Sequence, residues 1–286
     1  MLFIVGLLIV FGSVVGGYAA PGGHLGVLFQ PFEFIIIFGA ALGTFVIANP
    51  LPIIMGTLKS VGPLLSGSKM KKASFVELLS MLFAVFKLAK SKGDLALESH
   101  IDKPHESALF GAYPGFVKNH HAVEFMCDNL RVFTLGGGNP HELEAVMDVE
   151  LEALHVEQHA ITSAVTTVSD AMPALGIVAA VLGVIHTMGS ITEPPAVLGH
   201  LIGAALVGTF SGILMSYGLV APIAKSLETT FATDALYLTC IKTGLIAHLQ
   251  GYAPQVSIEF ARKTLYGKLK PTFAEMEEAL QKVQLP

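Results

Sequence analysis

Charge is what this sequence most lacks. Only 14% of its 286 residues are Asp, Glu, Lys or Arg, against about one quarter in soluble domains. The 17 basic and 22 acidic residues cannot furnish a water-facing surface for so long a chain unless much of that surface meets lipid. A hydrophobic content of 52% with a mean hydropathy of +0.65 excludes disorder. A net charge of −5 offers no basic face to a nucleic acid. Cysteine is scarce too: Cys127 and Cys240 are too few and too far apart for a disulfide framework or a zinc cluster. The composition is that of an integral membrane protein.

The charge-free windows locate the membrane. Residues 1–32, 34–58, 171–192 and 194–224 contain no Asp, Glu, Lys or Arg, and each exceeds the ~20 residues that cross ~30 Å of hydrocarbon. Spans are predicted at about 2–20, 34–55, 172–190 and 198–220. A signal peptide is the competing reading of the first window, with Tyr18-Ala19-Ala20 as a mimic of a cleavage site. It fits poorly, because no basic region precedes the apolar run, the run is long, and Pro21 would follow the cut. All 17 basic residues fall within 59–170 or 225–282, and the short connections 21–33 and 191–199 have none. Positive charge stays inside, so both termini and both long stretches are expected in the cytoplasm, with Lys59, Lys69, Lys71 and Lys72 fixing the first hairpin.

The expected fold is therefore an all-α membrane protein with four transmembrane helices, a large helical cytoplasmic insert between spans 2 and 3, and a helical cytoplasmic tail. Its parts are a hairpin at 1–58, a cytoplasmic domain at 59–170, a second hairpin at 171–224 and a tail at 225–286. Within the insert, Ser74-Phe-Val-Glu77 reads as a capping box opening a helix that ends near Lys92-Gly93. A polar stretch over 94–104 follows, and then a helix over 115–135. The Gly136-Gly137-Gly138 turn breaks that helix, and Asn139-Pro140 caps the next, which can run on towards the third span. In the tail, the fourth span continues through 225–249, and Thr272-Phe-Ala-Glu275 opens a last short helix.

Chemistry-bearing motifs are sparse. The insert has no phosphate loop, since no Gly-Lys-Ser/Thr follows Gly136–Gly138, and no Ser/His/Asp or Cys/His signature occurs. His155 and His159 share a helical face but lack a third ligand and a zinc pattern. No enzyme activity, cofactor or metal is expected. Small-xxx-small pairs at Gly12/Gly16, Gly39/Gly43, Gly199/Gly203 and Gly208/Gly212 allow close helix packing, within one bundle or between subunits. None of the predicted spans contains a carboxylate, and His186 is the one titratable group well inside them. A cation in transit needs such a group, so a partner must supply it. Pro173 and Pro222 mark matching cytoplasmic ends of the third and fourth spans, as punctuation or as a hinge. Thr209 lies near mid-span, either bonded back to its own helix or lining a wet path. The mixed-charge run of Lys87, Lys90, Lys92, Asp94, Glu98, His100, Asp102, Lys103 and Glu106 is either a solvated face or a docking surface.

Several segments carry a resemblance. Asp170-Ala-Met-Pro173-Ala-Leu-Gly176-Ile-Val-Ala-Ala180-Val-Leu-Gly183-Val-Ile-His186 and Gly208-Thr209-Phe-Ser-Gly-Ile-Leu-Met-Ser-Tyr217-Gly with Pro222 are two of them. Gly251-Tyr-Ala-Pro254, Glu259-Phe-Ala-Arg262-Lys-Thr-Leu-Tyr266 and the N-terminal Gly16-Gly17-Tyr18, Gly22-Gly23 and Gln30-Pro31 are the others. Together they resemble the MotA flagellar stator family, within the MotA/TolQ/ExbB proton channel family, over nearly the whole chain. The three-span TolQ and ExbB branches fit less well.

The resemblance implies a pentamer around two single-span MotB helices whose aspartate receives the ion, with the cytoplasmic rim pushing the rotor protein FliG. It implies no enzymatic step. It places Pro173 and Pro222 beside the ion site, Ala180 and Thr209 on the pathway, and Tyr217 as a neighbour. Its rotor-facing basic and acidic positions fall on Lys92 and Glu98. This sequence has Lys for the usual Arg and is two residues shorter between them, which makes Lys90 a rival. Ala180, where sodium-driven relatives carry threonine, leaves Thr209 as the main mid-span hydroxyl, and so points to protons. A TolQ/ExbB-like energising subunit, a lone secondary transporter and a scaffold without ion flow are the alternatives. The expected location is the bacterial inner membrane.

Overall fold

The computed structural model describes residues 2–64, 70–134 and 139–285. Helices of nine residues or more are, in chain order, α1 Leu2–Ala19, α2 Pro31–Ala48, α3 Leu51–Leu64, α4 Lys72–Lys92, α5 His120–Thr134, α6 Pro140–Met188, α7 Pro195–Met215, α8 Ala221–Leu249, α9 Pro254–Thr264 and α10 Phe273–Gln281. Short helical turns occupy several of the connections, and no strand occurs among the described residues. Lys69, Leu135 and the predicted turn at Gly136–Gly138 lie outside the described residues.

Several helix ends follow from local chemistry. Asn139 Oδ1 accepts from the His141 N–H at 3.1 Å, and Pro140 takes the first position of α6, where a missing N–H costs nothing. Glu275 N–H donates to Thr272 Oγ1 at 3.2 Å and Thr272 N–H donates to Glu275 Oε2 at 2.7 Å, closing the predicted capping box. Helix α4 stops at Lys92 because Gly93 takes a φ of +83°, a region open to glycine at little cost.

Three expectations are corrected. Ser74 does not cap α4 from outside. It lies in the first turn, with Oγ accepting from the Lys71 N–H at 3.3 Å, while Glu77 accepts from the distant Gly115 N–H at 2.7 Å. The predicted helix over 115–135 is divided into a turn at Pro114–Val117 and α5, because Asn119 Oδ1 takes the Ala122 N–H at 3.3 Å and restarts the helix. The predicted second span, 34–55, is displaced: α2 starts at Pro31 and stops at Ala48. Pro50 has no N–H and drives Asn49 into extended backbone, with φ −122° and ψ 138°.

The chain forms two units, residues 1–67 with 157–230 and residues 68–156 with 231–286. Helices α6 and α8 each run from one unit into the other. The first unit holds Leu25–Ala48 and shares Pro140–Met188 and Pro195–Leu249 with the second; all three are long and apolar enough to cross a membrane, and α1 is apolar but shorter. Its buried core is small, built on Ile37, Ala41, Met172 and Ala179. Large apolar side chains such as Leu8, Ile47 and Ile185 face outward, as expected for helices whose solvent is itself apolar.

The second unit has the core of a water-soluble domain. Every residue of α4 from Leu78 to Phe86 is buried, packed in one cluster with Phe125 and Met126 of α5, Ile241 and Leu245 of α8, and Ile258 and Ala261 of α9. Arg262 ties the α9–α10 connection down by donating to the Pro271 carbonyl at 2.8 Å and to Glu259 Oε2 at 2.7 Å. The Arg262 hydrogen bond holds the Glu259 carboxyl below its usual range.

Candidate functional site

Glycine decides how α6 and α7 meet. A Cβ added to Gly176 would lie 2.7 Å from the Gly208 carbonyl oxygen and 3.1 Å from Gly212 Cα, and one added to Gly212 would lie 2.7 Å from the Met172 carbonyl oxygen. Further along, a Cβ on Gly183 would be 2.6 Å from Ala205 Cβ. The two backbones are therefore in direct contact, which only residues without a side chain permit. Of the small-residue pairs seen in the sequence, Gly208/Gly212 packs inside the chain. The other pairs, Gly12/Gly16, Gly39/Gly43 and Gly199/Gly203, have nothing within 4 Å.

Ala180 and Thr209 lie on this seam. The Ala180 amide nitrogen is 3.0 Å from the Cβ position of Gly208, the residue before Thr209. Threonines in helices usually return the hydroxyl to the preceding turn. Thr162, Thr187 and Thr230, on α6 and α8, do so at 2.7 Å, 2.9 Å and 2.9 Å. Thr209 is half-buried, and its hydroxyl has no hydrogen bond among the described residues.

A hydrogen-bonded network runs from the turn that Pro173 interrupts to the residue before Pro222. Pro173 sits inside α6, which continues through it unbroken. Lacking an N–H, it leaves the Ser169 carbonyl without its helical donor, and Ser216 Oγ donates to that carbonyl at 2.7 Å. Ser169 Oγ lies 3.2 Å from both the carbonyl oxygen and the Oγ of Ser216. Both serines are buried, with 1% and 0% of their surface exposed. Ser216 opens a π-helical turn, Ser216–Val220, whose carbonyl at Ser216 accepts the Ala221 N–H just before Pro222. Such turns relax the regular ladder and recur at functional sites. Tyr217 and Pro222 are exposed in the single chain. Sequence reading missed Ser169 and Ser216, because partners 47 positions apart leave no local signal.

Glu33 is a further correction. The spans were expected to hold no carboxylate, yet Glu33 lies in the first turn of α2, where the helix dipole favours a negative charge. Its side chain reaches the α6–α7 seam. Oε2 is 2.7 Å from the Cβ position of Gly208, and Oε1 is 3.3 Å from that of Gly183. Oε2 is buried and has no hydrogen-bond partner. Charge-free windows necessarily end at a charge, so counting them placed Glu33 in a loop.

In the second unit, Lys90, Lys92 and Glu98 are all exposed, at the end of α4 and just beyond the turn at Asp94–Leu97. Burial and the nearby Lys92 charge hold the His100 imidazole below its usual range, and its Nδ1 lies 2.8 Å from Ser107 Oγ. Lys90 instead lines a groove of about 760 Å³ with Phe83, Lys87, Ile258 and Met276. The two candidate lysines thus face different surroundings.

Apolar helices long enough to cross a membrane, meeting at a glycine seam with one oxygen of a carboxylate buried beside it, place the chain among helical membrane proteins. Residues 118–238 match the MotA/TolQ/ExbB proton channel family, and residues 4–93 match the motility protein A N-terminal family. Motility protein A of Escherichia coli (strain K12) is 42% identical over 286 residues, covering 100% of this chain and 97% of that protein. Chemotaxis protein LafT of Vibrio parahaemolyticus is 34% identical over 275 residues, covering 96% of each. This chain belongs to the motility protein A family. Its fold matches that of C. jejuni MotAB at a TM-score of 0.78 and 20% identity, over 92% of this chain and 95% of that one. The flagellar MotAB stator complex of Bacillus subtilis matches at 0.70 and 25% identity, over 90% and 92%.

Proposed function

We propose that this chain is the stator subunit of a bacterial flagellar motor, which with MotB passes protons and turns their flow into torque on FliG. The solved relatives are MotAB complexes, which supports MotB as the partner. In this reading five copies surround two MotB helices, and the MotB aspartate receives the proton. The chain crosses the inner membrane four times, through α1, α2 and the apolar parts of α6 and α7, with both termini in the cytoplasm. Hairpins 1–58 and 171–224 are the membrane part, and 59–170 and 225–286 the cytoplasmic part. Glu98 with Lys92, or with its rival Lys90, faces the rotor.

One observation carries the reading: the network joining Pro173, Ser169, Ser216 and the π-turn before Pro222. It supports a hinge at the cytoplasmic end of the pathway, because a relaxed turn beside two prolines bends more readily than a regular helix. Helices α6 and α8 continue from this point into the second unit.

Protons are favoured over sodium by ligand count. Sodium needs several oxygens to replace its water, whereas a proton needs one acceptor and a chain of hydrogen bonds. Ala180 offers none, and Ser211 is buried and Ser216 is bonded to Ser169, so Thr209 is the hydroxyl at hand. Swimming is expected to persist without sodium, to collapse with a protonophore, and to tolerate Thr209→Ser better than Thr209→Val. Speed that follows external sodium at fixed pH overturns the ion assignment.

A further inference from the structure

We propose that Glu33 is a proton-relay residue on the outer approach to the Ala180–Thr209 pathway, an inference that rests on the proton-driven reading above. The carboxylate reaches the place where α6 and α7 come closest. The Cβ position of Gly208 lies 2.7 Å from Glu33 Oε2, 3.0 Å from the Ala180 amide nitrogen and 3.1 Å from Ala179 Cβ. Glycine at 208 and 183 leaves the space that the carboxyl group fills, since a Cβ at either position would press on one of its oxygens. Thr209 follows Gly208 directly on α7.

No ion pair to this carboxylate occurs among the described residues. Oε2 is buried without a hydrogen-bond partner, and the carboxyl group lies against Gly183 and Gly208, where α6 and α7 pack together. The titratable side chains on the neighbouring helices are His186 on the apolar part of α6 and His200 on α7, both exposed. A carboxylate without a counter-charge in an apolar setting is costly and marks an ion pathway by default. Uptake of a proton removes that cost. The relay then balances simply: the half-buried carboxylate takes one proton from outer water, the side chain goes from −1 to neutral, and the carboxyl O–H gives up that proton along the seam towards Thr209 and the partner's carboxylate. Its place in the first turn of α2 sets it near the predicted outer end of that span, on the side from which protons enter.

The test uses cells in which the full chain, expressed with its MotB partner, carries Glu33→Gln or Glu33→Asp. Motor rotation is read in sodium-free medium over a series of external pH values, with membrane level and co-purification of the partner as controls. A relay predicts that Glu33→Gln, nearly isosteric but unable to titrate, slows rotation about ten-fold or more. Glu33→Asp, shorter but still titrating, retains much of the speed and its dependence on external pH. A packing role ranks them the other way, because Gln fills the space beside Gly183 and Gly208 and Asp does not. Any order other than Gln below Asp, equal loss included, overturns the relay. If a protonophore fails to stop the wild-type motor, the proton-driven reading falls instead.

Discussion

Single residues govern the α6–α7 seam because the helices touch through their backbones. Gly176 faces the Gly208 carbonyl oxygen at 2.7 Å and Gly212 Cα at 3.1 Å, counted from the Cβ it lacks, and neither obstacle is a flexible side-chain tip. Gly176→Ala must push the helices apart or bend them. Overpacking of a tight contact costs roughly 1–3 kcal/mol, so the purified complex is expected to melt several degrees below wild type in detergent. An unchanged melting temperature would show that the seam is looser than its geometry implies. Ser169 and Ser216 work at the same scale. Each buries a hydroxyl that the other satisfies, and the Ser216 hydroxyl occupies the Ser169 carbonyl that Pro173 leaves free. In the sequence the two serines stand 47 positions apart, with no local pattern to pair them.

At the scale of elements, what was legible was what is local. The start of α6 at Asn139-Pro140, the end of α4 at Lys92-Gly93 and the box at Thr272–Glu275 are decided by side chains within three residues of the helix end. What was not legible depends on distant partners or on backbone that hydropathy ignores. Glu77 looked like half of a capping box, but Gly115 offers it a better donor. Residues 49–55 are apolar enough to extend a span, yet Pro50 ends it. The proposed rotor face is an element too: the end of α4, the Asp94–Leu97 turn and the short helix at Glu98–Asp102 carry Lys92 and Glu98, each exposed to solvent. Exposed charge contacts contribute about 0–1 kcal/mol each. Neutralising either residue alone is therefore expected to change swimming little, while the double reversal Lys92→Glu, Glu98→Lys impairs it with membrane assembly intact. Normal swimming of the double variant would move the rotor contact elsewhere, with Lys90 the next residue to reverse.

At the scale of the whole molecule, the membrane unit is unfinished as a single chain. Only 11%, 22% and 28% of the windows in the three helices long and apolar enough to cross a membrane are buried. Three glycine pairs suited to close helix contact face open space. Lipid covers apolar side chains, but open glycine stripes suit neighbouring helices, which is what further copies and a single-span partner provide. Glu33 lies beside Gly183 and Gly208, whereas no carboxylate occurs on α7 or on α6 from residue 171 onward. In the proposed pathway the inner part therefore calls for a group from outside the chain.

Proton uptake into liposomes carrying a membrane potential, measured with the purified protein alone and with MotB, tests this division of labour most directly. The account predicts an oligomer without uptake for the protein alone, uptake with the partner present, and loss of uptake when the partner's intramembrane aspartate is changed to asparagine. Appreciable uptake by the protein alone would contradict it.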